Sequence, residues 1–532
     1  MTARATIVLY YARLADSETG PPSGKDVLPL SVLTIAAWPH RDGHDVVILD
    51  GNLFETEAEA HAAVVDACDG ATIFGTTAIL GHQVSDGFRC TRAVRARYPK
   101  IHTIAGGWFP SVEPELYLST GLWDAVCLGQ GEITFREYVD AVVSGADLGG
   151  VAGLAIRREG AVHYTDHRQV VGWDKLLNCP WDLLDFEPYR RAQLEQRGGR
   201  LVERLPRPNG FKENRGHVGI AYYASYGCPE PCTFCCSPEV TGQRWKAMPA
   251  QRILDDLEEL TDRWDFDVVR FHDANWGVAH KRVREFCEGK LERDLDFFWF
   301  SMLQASSVMR YEERTVDLMA ESGCYVVNIG AETGSERTML ELIGKHTAGD
   351  ENFDAALEMD KRGIVTWMTY IIGYPGEERS SMLQTIDQAR RIRATCPTAH
   401  PAVWTYQPIP GTPLYRQAVE DGFVPPTTHE DWGNFGEYHL EATWDAPVPE
   451  DVHVRRRLFQ HYASLSHGLT RGQIGFWERR AQQRLQAGNW RFARAEAKAF
   501  DLVDRFSRRV LGKARPSPEW MKGDGVPVST GS

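Results

Sequence analysis

Cys228-Pro229-Glu230-Pro231-Cys232-Thr233-Phe234-Cys235 sets three thiols on one short loop, directly after the apolar, β-rich run from Val218 to Ala224. A loop at the carboxyl end of a strand is where β/α barrels place their chemistry. Three thiolates can hold three irons of a four-iron cluster and leave the fourth iron open to a ligand. A zinc site is the competing reading, with neighbouring Cys236 as a fourth thiolate. Adjacent cysteines chelate one tetrahedral ion poorly, and zinc ligands usually come as two separated pairs.

Downstream of the loop, strand-like runs at Asp267 to His272, Phe297 to Met302, Tyr325 to Ile329, Val365 to Ile371 and Ala402 to Gln407 alternate with helical stretches. With Val218 to Ala224 they predict six β/α units, a partial barrel. In the stretch from Glu378 to Arg393, Met382, Leu383, Ile386, Ala389 and Ile392 form one apolar stripe, so that helix is expected to pack outside the strands. Upstream, Thr6 to Tyr10, Asp45 to Leu49, Ala71 to Gly75, His102 to Ala105 and Asp124 to Leu128 alternate with helical patterns at Leu30 to His40, Ala58 to Cys68 and Val84 to Tyr98. This rhythm predicts a five-stranded, doubly wound, Rossmann-like domain. Its ligand loops would be Asp50-Gly51-Asn52, Gly75-Thr76-Thr77 and Ala105-Gly106-Gly107 at the strand ends. No GxGxxG follows the first strand, which argues against a nicotinamide cofactor.

The predicted α/β organisation is therefore a Rossmann-like domain over 1–150, a hairpin and linker over 151–215, the partial barrel over 216–425 and a mostly helical region with a tail over 426–532. The hairpin turns at Arg158-Glu159-Gly160. The last region is rich in arginine (Arg455-Arg456-Arg457, Arg479-Arg480, Arg508-Arg509) and ends in a Pro/Gly-rich stretch after Arg515. A chain of 532 residues exceeds one hydrophobic core. With 59 basic and 73 acidic residues its net charge of −14 disfavours nucleic acid as a general partner. No apolar run is long enough to span a bilayer and no cleavable leader is evident, so a cytoplasmic protein is expected, its cysteines reduced.

The CxxxCxxC spacing, with aromatic Phe234 before the third cysteine and a β/α series around it, resembles the radical S-adenosylmethionine (SAM) superfamily. Three later segments reinforce the likeness. Gly330-Ala331-Glu332-Thr333-Gly334-Ser335 resembles the family's ribose- and methionine-contacting segment, Gly373-Tyr374-Pro375-Gly376-Glu377 its adenine-side turn, and Pro408 to Pro413 a further family pattern. The resemblance implies a 4Fe-4S cluster on Cys228, Cys232 and Cys235, with SAM held by Glu332, Ser335, Gly373, Pro375, Gly376 and, through its amino group, Asp273. Each segment also has a plain reading. Glu332 could cap a helix starting near Ser335, Gly373 and Gly376 could be turn glycines around Pro375, and Asp273 could be an ordinary strand-end carboxylate. The order of the segments behind the cysteines favours the cofactor reading.

A doubly wound domain ahead of such a barrel resembles the cobalamin-binding class of this superfamily. The matches are Gly43 to Asp50, Gly75-Thr76-Thr77, Gly106-Gly107 and Gly129-Gln130-Gly131-Glu132. The resemblance implies that Asp50, Thr76, Thr77, Gly106, Gly107, Gly131 and Glu132 surround cobalamin. A purely structural Rossmann-like module is the alternative. The DxHxxG pattern that supplies a lower histidine ligand to cobalt is missing, although His40, His44 and His82 are present.

The implied function is a cobalamin-dependent radical SAM C-methyltransferase. One SAM methylates cobalamin, a second is cleaved to a 5′-deoxyadenosyl radical that takes hydrogen from a small-molecule substrate, and the substrate radical receives the methyl group. An external donor such as a flavodoxin or ferredoxin supplies electrons. A radical oxidative cyclase on the same scaffold is the second reading, its C-terminal arginines clamping substrate carboxylates or phosphates unless they form a solvated helix face. A non-catalytic Fe–S or cobalamin sensor is the third, against which the nucleoside-binding segments argue. Trp108, Trp276, Trp299, Trp367 and Trp404 are candidates for lining a substrate cavity or for ordinary core packing.

Overall fold

The computed structural model describes residues 4–15, 27–195, 218–347, 349–435, 447–466 and 475–499. The first sheet holds β1 (Thr6–Tyr11), β2 (Asp45–Asp50), β3 (Ile73–Thr77), β4 (His102–Gly106) and β5 (Ala125–Cys127), all parallel in the order β2-β1-β3-β4-β5. Ile7, Val8, Leu9 and Tyr10 of β1 are buried on both faces, as a parallel strand covered by helices requires. Helices Leu30–Arg41 and Gly131–Ser144 pack together on one side, Glu57–Ala67 and His82–Arg97 on the other.

The expected hairpin is β6 (Leu154–Arg158) and β7 (Ala161–Tyr164). It extends the same sheet, β6 pairing antiparallel with β5. Pairing there covers the strand edge that β5 would otherwise expose. Linker residues 196–215 lie outside the described residues.

The second sheet follows β8 (Gly219–Tyr222) and a small hairpin of β9 (Ser225–Gly227) and β10 (Trp245–Ala247). It continues with β11 (Val268–Phe271), β12 (Phe298–Leu303), β13 (Cys324–Glu332), β14 (Val365–Ile372) and β15 (Ala399–Thr405). Its six strands run β8-β11-β12-β13-β14-β15, each parallel to the next. This is the predicted partial barrel. Outward side chains such as Ile220, Val269, Trp299, Val327, Met368 and Val403 meet the surrounding helices in the main core. Phe300, Tyr325, Val326 and Val365 plug the interior. Trp276 and Trp299 are fully buried against Phe271 and Phe286, so these two tryptophans are core.

Helices Glu450–Ser466 and Phe476–Ala487 pack on the outside of the Arg379–Thr395 helix. Arg457 and Arg479 are exposed, as a solvated face predicts, whereas two other arginines of these helices are buried. Arg456 is buried and donates to Val403 O at 3.1 Å, and Arg484 is buried against Glu496. Arg508, Arg509 and the tail lie outside the described residues.

The two sheets share an apolar seam. Phe88, Phe109, Tyr117 and Trp123 from the first domain cluster with Met339, Tyr374 and Leu414 of the barrel and with Trp432 of the region after it. Beside it, Arg89 donates to Glu430 at 2.6 Å, and at the β2 end of the sheet Tyr189 of the linker region donates to Asp50 at 2.8 Å.

Candidate active site at the domain seam

The cysteine loop follows β9 and leaves that strand through a turn only glycine can make. Gly227 has φ +79°, and a Cβ there would stand 2.0 Å from Arg244 O. Buried Asp273, just past β11, fixes the start of the loop by accepting from Ala224 N at 3.2 Å and from the Ser225 hydroxyl. Thr233 fixes its far end, donating its amide to Ile343 O at 3.1 Å and its hydroxyl to Leu342 O at 2.7 Å. Phe234 packs on Tyr374 with ring centroids 5.7 Å apart.

Cys228 is half-buried beside Asn275, Cys232 is buried, and Cys235 opens the short Cys236–Thr241 helix, its sulfur accepting from Ser237 N at 3.4 Å. Burial pushes the Cys228 and Cys232 thiols up. A hydrogen bond with Cys236, helped by the Ser237 amide, holds Cys235 below its ordinary value. The thiols are not gathered at zinc spacing, which needs sulfurs about 3.8 Å apart. Among the described residues the one Cys/His/Asp/Glu trio with all ligand atoms within 4.8 Å is Glu57, His61 and Asp86, elsewhere. That trio is self-satisfied, since Arg89 forks onto Glu57 while Asp86 accepts from Tyr10, Arg13 N and His61.

Glu332 ends β13 in the left-handed region, φ +60°, after a register shift against β14 at Gly330/Glu332. Such backbone costs about 1–3 kcal/mol in a non-glycine residue. The irregularity aims the carboxylate inward, where it pairs with Lys345 Nζ at 2.9 Å. Glu332 therefore caps no helix. Ser335 turns away from it, bonding Ser381 at 3.1 Å and accepting from Thr338 N at 3.4 Å. Gly334 is required by close packing, since a Cβ would stand 2.8 Å from Gln388 Cβ and 2.9 Å from Gln384 O. The turn after β14 has Gly373 at φ +83° and Gly376 at φ +77°, and Glu377 closes it by accepting from Gly373 N at 2.7 Å. Burial raises the Glu377 carboxyl to about 7. The cysteine loop, Glu332 and this turn thus stand together at the carboxyl ends of β8, β13 and β14.

Lys345 was not foreseen from the sequence. It follows Met339-Leu340-Glu341-Leu342-Ile343-Gly344 with no strand or helix period to mark it, and only tertiary packing reveals it.

Beneath the mouth, His272 Nε2, Asn328 Oδ1 and Trp367 Nε1 are buried and make no hydrogen bond. Burial, then the Arg270 charge, holds His272 neutral with a pKa of about 3.

The first sheet turns its carboxyl edge toward this mouth. Helix Trp108–Val112, after β4, packs on the Cys236–Thr241 helix, and a Cβ on Gly129 (φ +70°) would stand 3.2 Å from Val240 O. The Thr76 hydroxyl is buried and unpartnered, and it faces the His82–Arg97 helix, where a Cβ on Gly87 would stand 3.4 Å from it. Both Thr76 and Thr77 belong to β3 itself rather than to a loop. Gly106 has room for a side-chain atom, its added Cβ meeting only Cys127 Cβ at 3.7 Å. The space at Gly106 fits a ligand lying on the edge. Gly107 has a different explanation from close passage of a ligand. Its φ is +102° and a Cβ would stand 2.4 Å from Ala78 O. Asp50 is likewise engaged, accepting from Asn52 N, Asn52 Nδ2 and Tyr189, each at 2.8 Å. Gly131 packs near Ile35 and Cys127, and half-buried Glu132 has its carboxyl raised by desolvation. His44 accepts from Ala5 N, His40 meets Asp182, and His82 meets Glu57, so these three histidines are occupied within the protein.

The B12 binding domain family matches residues 22–139, and the Radical SAM superfamily matches residues 222–389. The chain is 28% identical over 408 residues to an uncharacterized methyltransferase of Pyrococcus horikoshii, covering 76% of this chain and 80% of that one. It is 25% identical to the cytidylyl-2-hydroxyethylphosphonate methyltransferase of Streptomyces wedmorensis, over 75% and 79% of the two chains. It is 23% identical to the anaerobic magnesium-protoporphyrin IX monomethyl ester cyclase of Rubrivivax gelatinosus, over 76% and 74%. Among solved structures, the radical SAM methyltransferase TsrM of Kitasatospora setae, with cobalamin and a 4Fe-4S cluster bound, superposes with TM-score 0.62 at 15% identity, over 92% and 100%. The cobalamin-dependent SAM radical enzyme OxsB, with aqua-cobalamin and SAM bound, gives 0.66 at 15% identity, over 98% and 75%. Both share the architecture described above.

Proposed function

We propose, from the premise that this chain belongs to the radical SAM superfamily and carries a B12-binding domain ahead of its barrel, that it is a cobalamin-dependent C-methyltransferase acting on an unactivated carbon of a small molecule. The observation that carries this reading is the seam itself. The helix after β4 and the Gly129 loop after β5 lie directly on the helix that begins at Cys236. A cofactor on that sheet edge would face the cysteine loop, with the substrate between them.

When bound, the cluster delivers the electron that splits SAM, and cobalamin relays the methyl group to the substrate carbon. The chain's own residues position and shield. Cys228, Cys232 and Cys235 would ligate iron, Glu332 and the Gly373–Gly376 turn would hold the nucleoside, and Gly106 would border the corrin or its tail. Within the barrel, His272, Asn328 and Trp367 offer neutral hydrogen-bonding atoms to the substrate. The apolar seam around Phe109 and Tyr374 excludes water from the radical step.

The cyclase reading loses its main sequence support, because Arg456 and Arg484 pin the C-terminal helices instead of lining the site. We place the enzyme in the cytoplasm with a flavodoxin or ferredoxin as donor. No described helix is long and apolar enough to cross a membrane.

The test uses methyl-labelled SAM, reductant and a verified substrate. S-adenosylhomocysteine and 5′-deoxyadenosine should both accumulate, with label on product carbon. Deoxyadenosine with an unlabelled, dehydrogenated product would replace the methyltransferase by a cyclase.

A further inference from the structure

We infer that Lys345 cancels the charge of Glu332 beside the cysteine loop, so that a carboxylate required by the nucleoside does not oppose an electron arriving at the cluster. The inference rests on the cluster and SAM assignments above, and makes Lys345 a positioning residue.

The pair is deep. The Lys345 side chain is 4% exposed and that of Glu332 11%, and Lys345 Nζ reaches both Glu332 Oε1, at 2.9 Å, and Gly330 O. Its place is fixed from both sides along the chain. Ile343 O and Leu342 O accept from Thr233, while His346 N donates to Glu230 Oε2 at 3.3 Å. Segment 342–346 therefore runs along loop 230–233 and sets the ammonium close to Cys232.

Reduction adds one negative charge to the cluster, the electron coming from an external reductant of flavodoxin or ferredoxin class. In a poorly solvated site a bare carboxylate nearby would make that addition harder, and a bare ammonium would make it easier. A buried carboxylate left unpaired is itself costly. Pairing meets both demands while leaving Glu332 Oε2 for a ribose hydroxyl or an ammonium group. It also accounts for the irregular backbone at Glu332, which turns the carboxylate inward onto the lysine.

The test is an EPR-monitored redox titration of the full chain, reconstituted with iron and sulfide and without SAM. Lys345→Met should shift the cluster midpoint negative, Glu332→Gln should shift it positive, and the double variant should return close to the parent. Lys345→Arg should restore the parent value. Shifts of the same sign, or none, in the two single variants would reduce the pair to packing. Should Lys345→Met fail to fold, Glu332→Gln and the charge-free double variant carry the same test, a positive shift and its reversal being required. A parent chain that assembles no four-iron cluster would overturn the cysteine assignment as well, and is seen before any variant is compared.

Discussion

The phenol of Tyr189 donates to Asp50 Oδ2 across 2.8 Å, tying the helix Glu187–Glu195 to the carboxyl end of β2. Asp50 is 4% exposed, and burial raises its carboxyl from 3.8 to about 6 despite three hydrogen bonds. A folded-state pKa above the unfolded one means that the native state binds the proton more tightly. Its stabilising effect is therefore full below about pH 4 and is lost as pH rises through 6. The shift corresponds to on the order of 3 kcal/mol. Asp50→Asn should flatten this component. Thermal unfolding of parent and variant should differ in slope between pH 4 and 6, the variant gaining relative stability toward pH 8. Parallel profiles would mean that Asp50 does not titrate in that window.

Replacing any one of Cys228, Cys232 or Cys235 by alanine should remove most of the cluster iron and its broad visible absorption, while Cys236→Ala keeps both. Far-ultraviolet circular dichroism should stay close to the parent, because the loop contributes little regular structure. Equal iron loss in Cys236→Ala and Cys232→Ala would return the site to four thiolates.

Adjacent glycines at the end of β4 should respond differently. Gly107→Ala puts a Cβ 2.4 Å from Ala78 O at φ +102°, so it should destabilise by about 2 kcal/mol or more and lower the melting temperature. Gly106→Val should leave stability within about 0.5 kcal/mol of the parent and weaken cobalamin retention by about tenfold, worth 1.4 kcal/mol. Unchanged cobalamin binding in Gly106→Val would move the corrin away from this edge.

These two glycines also mark where sequence reading succeeds and where it stops. The strands were legible because parallel, doubly covered β-structure writes itself as short apolar runs. The cysteine loop was legible because its ligands lie within eight residues. Gly107 reads identically whether its glycine serves a ligand or the carbonyl of Ala78, since that contact joins residues almost thirty apart. Lys345 and Glu332 pair across a turn with no periodic signature. The arginines of the C-terminal helices looked like a solvated face, yet Arg456 is buried because β15 offers it a carbonyl. Partners set by tertiary packing are what a linear pattern leaves out.

Asp273 allows the two kinds of role to be separated. Its carboxylate accepts from Ala224 N and the Ser225 hydroxyl, and burial raises it from 3.8 to about 6. Nearby, Arg282 is buried and donates to Ala224 O at 3.0 Å, so carboxylate and guanidinium grip the same residue at the root of the cysteine loop. A residue that clamps the loop and one that receives the SAM amino group would fail differently. Hydrogen bonds to a charged acceptor contribute roughly 1.5–3 kcal/mol each. Asp273→Asn should therefore loosen the loop and lower iron content after reconstitution, with loss of SAM binding only in proportion to lost cluster. Quantifying iron and sulfide beside SAM binding by equilibrium dialysis separates the cases. Full iron with SAM affinity down tenfold or more would make Asp273 a ligand of the SAM amino group, and the clamp on Ala224 incidental.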